Sequence, residues 1–141
     1  MGGKDPVQTQ TRNPAMKLAI SSARDARYLE GRRAFFRYRD LGITEATGGR
    51  ARAQLTSARA GMVEPTGWHF HVCELQFVYV TRGFVDLEFE ERGLVRLEAG
   101  DSVMIPGGLP HQEVRTSDDF EFVEFSVPAE MGTRPCDPPG A

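Results

Sequence analysis

The residues best suited to chemistry are the chain's three histidines, His69, His71 and His111. His69 and His71 are separated by one residue. On a β-strand, positions i and i+2 project to the same face, so both imidazoles can converge on one metal ion. The plainer alternative is two core or surface histidines that happen to alternate. Downstream, Gln76, Val78 and Val80 share a parity opposite to that of the two histidines. A turn therefore falls within residues 72–75, with His69 and His71 on one strand and Gln76 on the next. Gln76 could supply a carbonyl oxygen as a third or fourth ligand. Further on, the turn Pro106-Gly107-Gly108 places His111 at the start of another strand.

The elements that must carry these side chains are strands. No long window shows helical periodicity, while period-2 alternation recurs. Val85, Leu87 and Phe89 alternate with Asp86, Glu88 and Glu90. Arg52, Gln54 and Thr56 form one face of a strand whose other face is Ala53, Leu55 and Ser57. Val103 and Ile105 form a short strand. Phe120 and Phe122 are followed by Phe125 and Val127 on the opposite parity, which predicts a bulge near Val123 and Glu124. Glycines at Gly61, Gly83, Gly93 and Gly100 punctuate the runs. Many short strands with a turn about every ten residues predict an all-β sandwich or small barrel.

Length and composition narrow the field. A chain of 141 residues is one domain by length. We divide it into an N-terminal arm (1–30, broken by Pro6 and Pro14), a barrel (31–127) and a proline-rich, extended C-terminal tail (128–141). With 17 Lys and Arg against 20 Asp and Glu, no basic excess exists to neutralise phosphates, so nucleic acid is not an expected partner. No apolar run approaches the roughly 18 residues of a membrane span. No secretory signal is visible at the N-terminus, so the expected compartment is cytoplasmic. Cys73 and Cys136 are then expected as free thiols.

The spacing of Gly100, Pro106, Gly108 and His111 resembles the second signature of the cupin superfamily. His69, His71, Gln76 and Gly83 are similar to its first signature, whose usual form has Glu where Gln76 stands. Sixteen residues, 84–99, separate the two, close to the short spacer of small single-domain cupins. The resemblance implies a double-stranded β-helix, or jelly-roll, barrel. It also implies one divalent transition metal (Mn, Fe, Ni, Co or Zn) held by His69, His71, Gln76 and His111, and frequent homodimerisation. The sequence departs from the pattern at Val63, where a Gly is usual, and at Arg115, where an Asn is sometimes found. Glu74 competes with Gln76 for the oxygen-ligand position. Gln76 is favoured because its distance to Gly83 matches the family and it shares the parity of Val78 and Val80.

Three neutral imidazoles and an amide leave the +2 charge of such a metal uncompensated. A more positive centre is a better Lewis acid and favours anionic ligands such as enediolates or carboxylates. The expectation is isomerase or lyase chemistry on a small polar, anionic or hydroxy-carbonyl metabolite. The alternatives are an Fe(II)-dependent dioxygenase with the same ligands and a non-catalytic small-molecule binder. Known small cupins with Gln at this position include enzymes that open unsaturated uronates, an analogy at the level of fold. By parity, Glu113 and Arg115 share the face of His111, and Arg52 and Gln54 share another. These four are candidate substrate-binding residues, with solvated charges as the plainer reading. Glu74 is a candidate general acid or base, and Cys73 a candidate nucleophile or a small buried hydrophobe.

Overall fold

In the computed structural model, which describes residues 9–30 and 33–140, the chain forms two facing antiparallel sheets. The elements run β1 (Leu29–Glu30), β2 (Phe36–Asp40), α1 (Ile43–Ala46), β3 (Arg52–Ala58), β4 (His69–Val72), β5 (Leu75–Arg82) and β6 (Phe84–Phe89), followed by β7 (Gly93–Glu98), β8 (Ser102–Pro106), β9 (His111–Thr116), β10 (Glu121–Val127) and β11 (Gly132–Pro135). One sheet has the order β1-β2-β3-β10-β5-β8 and the other β11-β4-β9-β6-β7. This is the all-β fold expected from the strand pattern, in the jelly-roll form that the resemblance implied. Pro6 of the predicted arm lies outside the described residues. No helix among the described residues is long and apolar enough to cross a membrane.

The strands follow from alternation. β6 buries Val85, Leu87 and Phe89 and leaves its other face partly open. These three pack with Phe36, Val80, Leu97, Ile105 and Phe120 as the apolar core between the sheets. Phe122 extends it, stacked on Phe120 at 4.9 Å between ring centroids. Aromatic pairs of this kind add about 0.5–1.5 kcal/mol beyond their buried area.

Three details differ from the sequence reading. First, β10 holds one register against β3 and β5 from Phe122 to its end, with the only shift at Glu121/Phe122. No bulge occurs at Val123 and Glu124. Glu124 and Ser126 face inward and are buried, while Phe125 and Val127 lie on the other face. Second, β9 carries the bulge instead: Leu87 pairs with Glu113 and Asp86 with Arg115, so Val114 is the extra residue. Third, the C-terminal segment is extended as predicted, but its residues 132–135 form β11 and pair with β4. It is a strand of the barrel rather than a tail beside it.

Candidate metal centre

β4 and β9 bring the histidines together. His69 and His111 are direct cross-strand partners, and His71 lies two residues along β4. The ring centroids are 4.6 Å apart for His69–His111 and 5.1 Å for each of the other two pairs. All three side chains are buried. One ring nitrogen from each lies within 4.8 Å of the others.

The hydrogen bonds fix which nitrogen is free. His69 Nδ1 donates to the Gly67 carbonyl at 2.8 Å and His111 Nδ1 to the Leu109 carbonyl at 2.9 Å. A carbonyl oxygen only accepts, so each Nδ1 carries a proton, and in the neutral ring the lone pair is then at Nε2. His71 Nδ1 lies 3.1 Å from Thr133 Oγ1 on β11. Burial, with the neighbouring His111 and His69, lowers the His71 pKa to about 4. Burial also lowers that of His111, against the opposing hydrogen bond to Leu109. Desolvation disfavours the imidazolium and keeps the imidazole in its ligating form.

Gln76 is buried on β5. Its Nε2 donates to Glu124 Oε2 at 2.9 Å. A carboxylate can only accept, so the amide is oriented with Nε2 toward Glu124 and Oε1 away from it. That Oε1 is buried and has no hydrogen-bond partner. An unpaired buried carbonyl costs about 1–3 kcal/mol, a cost that coordination to a cation would remove. Three imidazole nitrogens and one orphaned amide oxygen are therefore a donor set that fits a divalent transition ion. Glu124 is tied in turn to Arg52 by an ion pair. Arg52, Ser126 and Gln76 are successive cross-strand partners on β3, β10 and β5, and Arg52 Nε, Ser126 Oγ and Gln76 Oε1 all lack partners.

His69, His71, Arg52, Gln76 and Glu124 line a cavity of about 350 Å³. Its lining includes the polar Arg52, Gln54, Thr56, Gln76 and Glu124 and the apolar Phe36, Tyr38, Phe122 and Met131. Arg33 and Glu113 also reach the cavity. The Glu113 carboxylate lies 3.6 Å from His69 Nε2. Burial pushes its pKa up, but His69, Arg33, His111 and the Thr66 hydroxyl outweigh that and lower it.

Of the sequence-derived candidates, His69, His71 and His111 cluster, and Gln76, Arg52, Gln54 and Glu113 line a cavity with His69 and His71. Arg115 does not. The bulge at Val114 turns it outward, where it lies 4.0 Å from Asp86 and over the Phe84 ring. Glu74 is exposed in the β4–β5 turn and does not line the cavity. Cys73, in the same turn, is half-buried and outside the lining. Burial and the Glu124 charge raise its thiol pKa, the reverse of what a nucleophile needs. Cys73 and Cys136 are both free thiols, and the Cys136 amide is bonded to the Trp68 carbonyl at 3.0 Å. The expectation of an uncompensated metal charge also changes, because Glu113 and Glu124 place two carboxylates next to the ligand residues. Glu124 and Thr133 escaped sequence reading. The only signal for Glu124 was its place inside an otherwise apolar run.

Comparisons with known proteins agree with this architecture. Residues 60–127 match the family model of the cupin domain. No curated protein matches the chain. Among solved structures, KdgF from Halomonas sp. is 18% identical with a TM-score of 0.63, over 81% of this chain and 96% of that one. The polyketide cyclase RemF from Streptomyces resistomycificus is 20% identical with a TM-score of 0.65, over 88% and 89%. Streptomyces Pac13 with uridine is 14% identical with a TM-score of 0.60, over 87% and 95%. Pac13 is described as a nucleoside dehydratase.

Proposed function

The chain carries a cupin domain, and on that premise we propose that it is a metal-dependent enzyme of isomerase or lyase type acting on a small polar, anionic or hydroxy-carbonyl metabolite. The observation that carries the reading is the buried Gln76 Oε1, left without a partner beside three imidazoles whose Nδ1 positions are engaged. His69, His71, His111 and Gln76 would hold one divalent transition ion. Bound there, such an ion supplies Lewis-acid polarisation of a substrate oxygen.

The protein's own groups do the rest. Glu124 holds the Gln76 amide in one orientation. Arg52 Nε and Gln54, in the cavity lining, are placed to donate hydrogen bonds to substrate hydroxyl or carboxylate oxygens. Phe36, Phe122 and Met131, which line the same cavity, limit the water it holds. A cavity of about 350 Å³ admits a compact metabolite. The cyclase and the dehydratase among similar folds support this class by analogy. A cytoplasmic location and a homodimer remain part of the proposal. Tyr79 and Met104, exposed on the outer side of β5 and β8, offer an apolar surface for a second copy.

Elemental analysis of protein purified anaerobically without added metal tests the reading. About one equivalent of Mn, Ni, Co or Zn, with turnover of hydroxy-acid or sugar-derived substrates and no oxygen uptake, is the expected result. One equivalent of Fe with oxygen consumption would replace it by the dioxygenase reading. No metal, before or after titration, would leave a non-catalytic binder.

A further inference from the structure

Besides the cavity described above, the barrel holds a second, smaller space of about 40 Å³. Arg33, Phe36, Gln76, Glu113, Phe122 and Glu124 line both, so the two spaces adjoin. His69 and His71 line the larger space and His111 the smaller. The three-histidine cluster therefore lies where the two meet.

The two spaces differ in chemistry. The larger is lined by Gln54 and by Arg52, whose Nε has no partner among the described residues. The smaller is lined by Val78, Val85, Leu87, Ile105 and Phe120, all buried. Most of its polar members are already engaged. Thr116 Oγ1 accepts from the Met62 amide at 2.9 Å and Glu113 Oε2 from the Thr66 hydroxyl at 3.0 Å. Glu124 holds Gln76 and Arg52, and His111 Nδ1 donates to the Leu109 carbonyl. One water needs about 10–15 Å³ of such space and two to four polar partners, so the room is ample but the partners are few. Apolar groups around a void forgo dispersion contacts that a filling group restores. The unmet demand in this recess is for an apolar occupant.

We infer that the substrate is amphipathic: its hydroxyl or carboxylate oxygens lie at the histidine cluster and Arg52, and a short aliphatic substituent enters the recess lined by Val78, Val85, Leu87, Ile105 and Phe120. This rests on the metal-dependent reading above and narrows its substrate class. A compound hydroxylated at every carbon would press hydroxyls against these side chains with their hydrogen bonds unmade. The recess selects against it.

The test loads the protein with Zn(II) and measures, by calorimetry, the binding of glycolate, lactate, 2-hydroxybutyrate, 2-hydroxyvalerate and 2-hydroxyhexanoate, each as its tighter-binding enantiomer. Affinity is expected to rise by about fourfold per added carbon and to fall once the recess is full. Val85→Ile narrows the recess by one carbon and Ile105→Val widens it by one, and both keep a β-branched residue on its strand. The optimum should move to a shorter acid in Val85→Ile and to a longer one in Ile105→Val. Movement in the stated direction in either variant supports the inference. Affinity that is flat, that falls from glycolate onward or that rises through the whole series overturns it. So does an optimum unmoved in both variants or displaced the other way, and so does Zn(II) uptake without binding of any acid. Each of these leaves the metal-dependent reading standing. Absence of Zn(II) uptake overturns both.

Discussion

Gln76 and Glu124 are joined across β5 and β10 by a single hydrogen bond, Nε2 to Oε2 at 2.9 Å. Because a carboxylate can only accept, this bond turns Nε2 toward Glu124 and leaves Oε1 as the free end of the Gln76 amide. In the metal-dependent reading proposed above, the ligand oxygen is aimed by a residue that need not touch the ion. Glu124→Ala is expected to lower metal affinity about tenfold or more, the usual effect of losing such a supporting partner. Glu124→Gln keeps an acceptor for Nε2 and is expected to lose less. Chelator competition on both variants checks the order. Equal affinities of both variants and wild type would contradict it.

Metal-free protein should lose stability in mild acid. An unfolded histidine titrates near 6.5, whereas folded His71 titrates near 4 and His111 below its ordinary value. The unfolded chain therefore binds protons more readily. The stability associated with these neutral imidazoles is fully present above about pH 6.5 and is lost as pH falls toward 4. At pH 5.5 His71 alone accounts for a loss of about 1 kcal/mol. Thermal melts of the metal-free protein at pH 7.5 and 5.5 should show a lower Tm at the acid value. A His71→Ala variant should show a smaller drop.

Arg115→Ala is expected to leave metal binding and turnover unchanged. The side chain lies on the outer face near Asp86, and exposed substitutions of this kind usually change stability by less than about 0.5 kcal/mol. A large rise in KM would return Arg115 to the substrate site.

Gly107→Ala should damage both the fold and the site. A Cβ at this position would lie 1.7 Å from the Cys73 carbonyl oxygen, which belongs to backbone and cannot swing aside. The β4–β5 turn must then shift, and the adjacent Gly108 amide bond to the His71 carbonyl, 3.0 Å long, shifts with it. A loss of about 1–3 kcal/mol and weaker metal binding are expected from denaturant titration and chelator competition. Gly93→Ala, where the same added atom meets open space but the backbone φ of 78° is strained, should lower stability while sparing metal affinity.

The amino-acid sequence by itself determined the strand-rich fold and the three-histidine cluster of the candidate metal centre. Alternation is local, so His69 and His71 had to share a face, and the opposite parity of Gln76 required a turn between them. Arg52 and Gln54 were legible as one face for the same reason. What alternation could not decide was which face of a mixed strand turns inward. In β10 the polar Glu124 and Ser126 took the inside because Gln76 and Arg52 were there to meet the carboxylate. Phase in β9 was likewise lost at Val114, where one extra residue kept Glu113 inside and turned Arg115 out. Thr133 reached His71 only because the C-terminal segment paired with β4 as β11. Each of these depends on partners distant in the chain, and pairing between distant strands is set by tertiary packing rather than by local pattern.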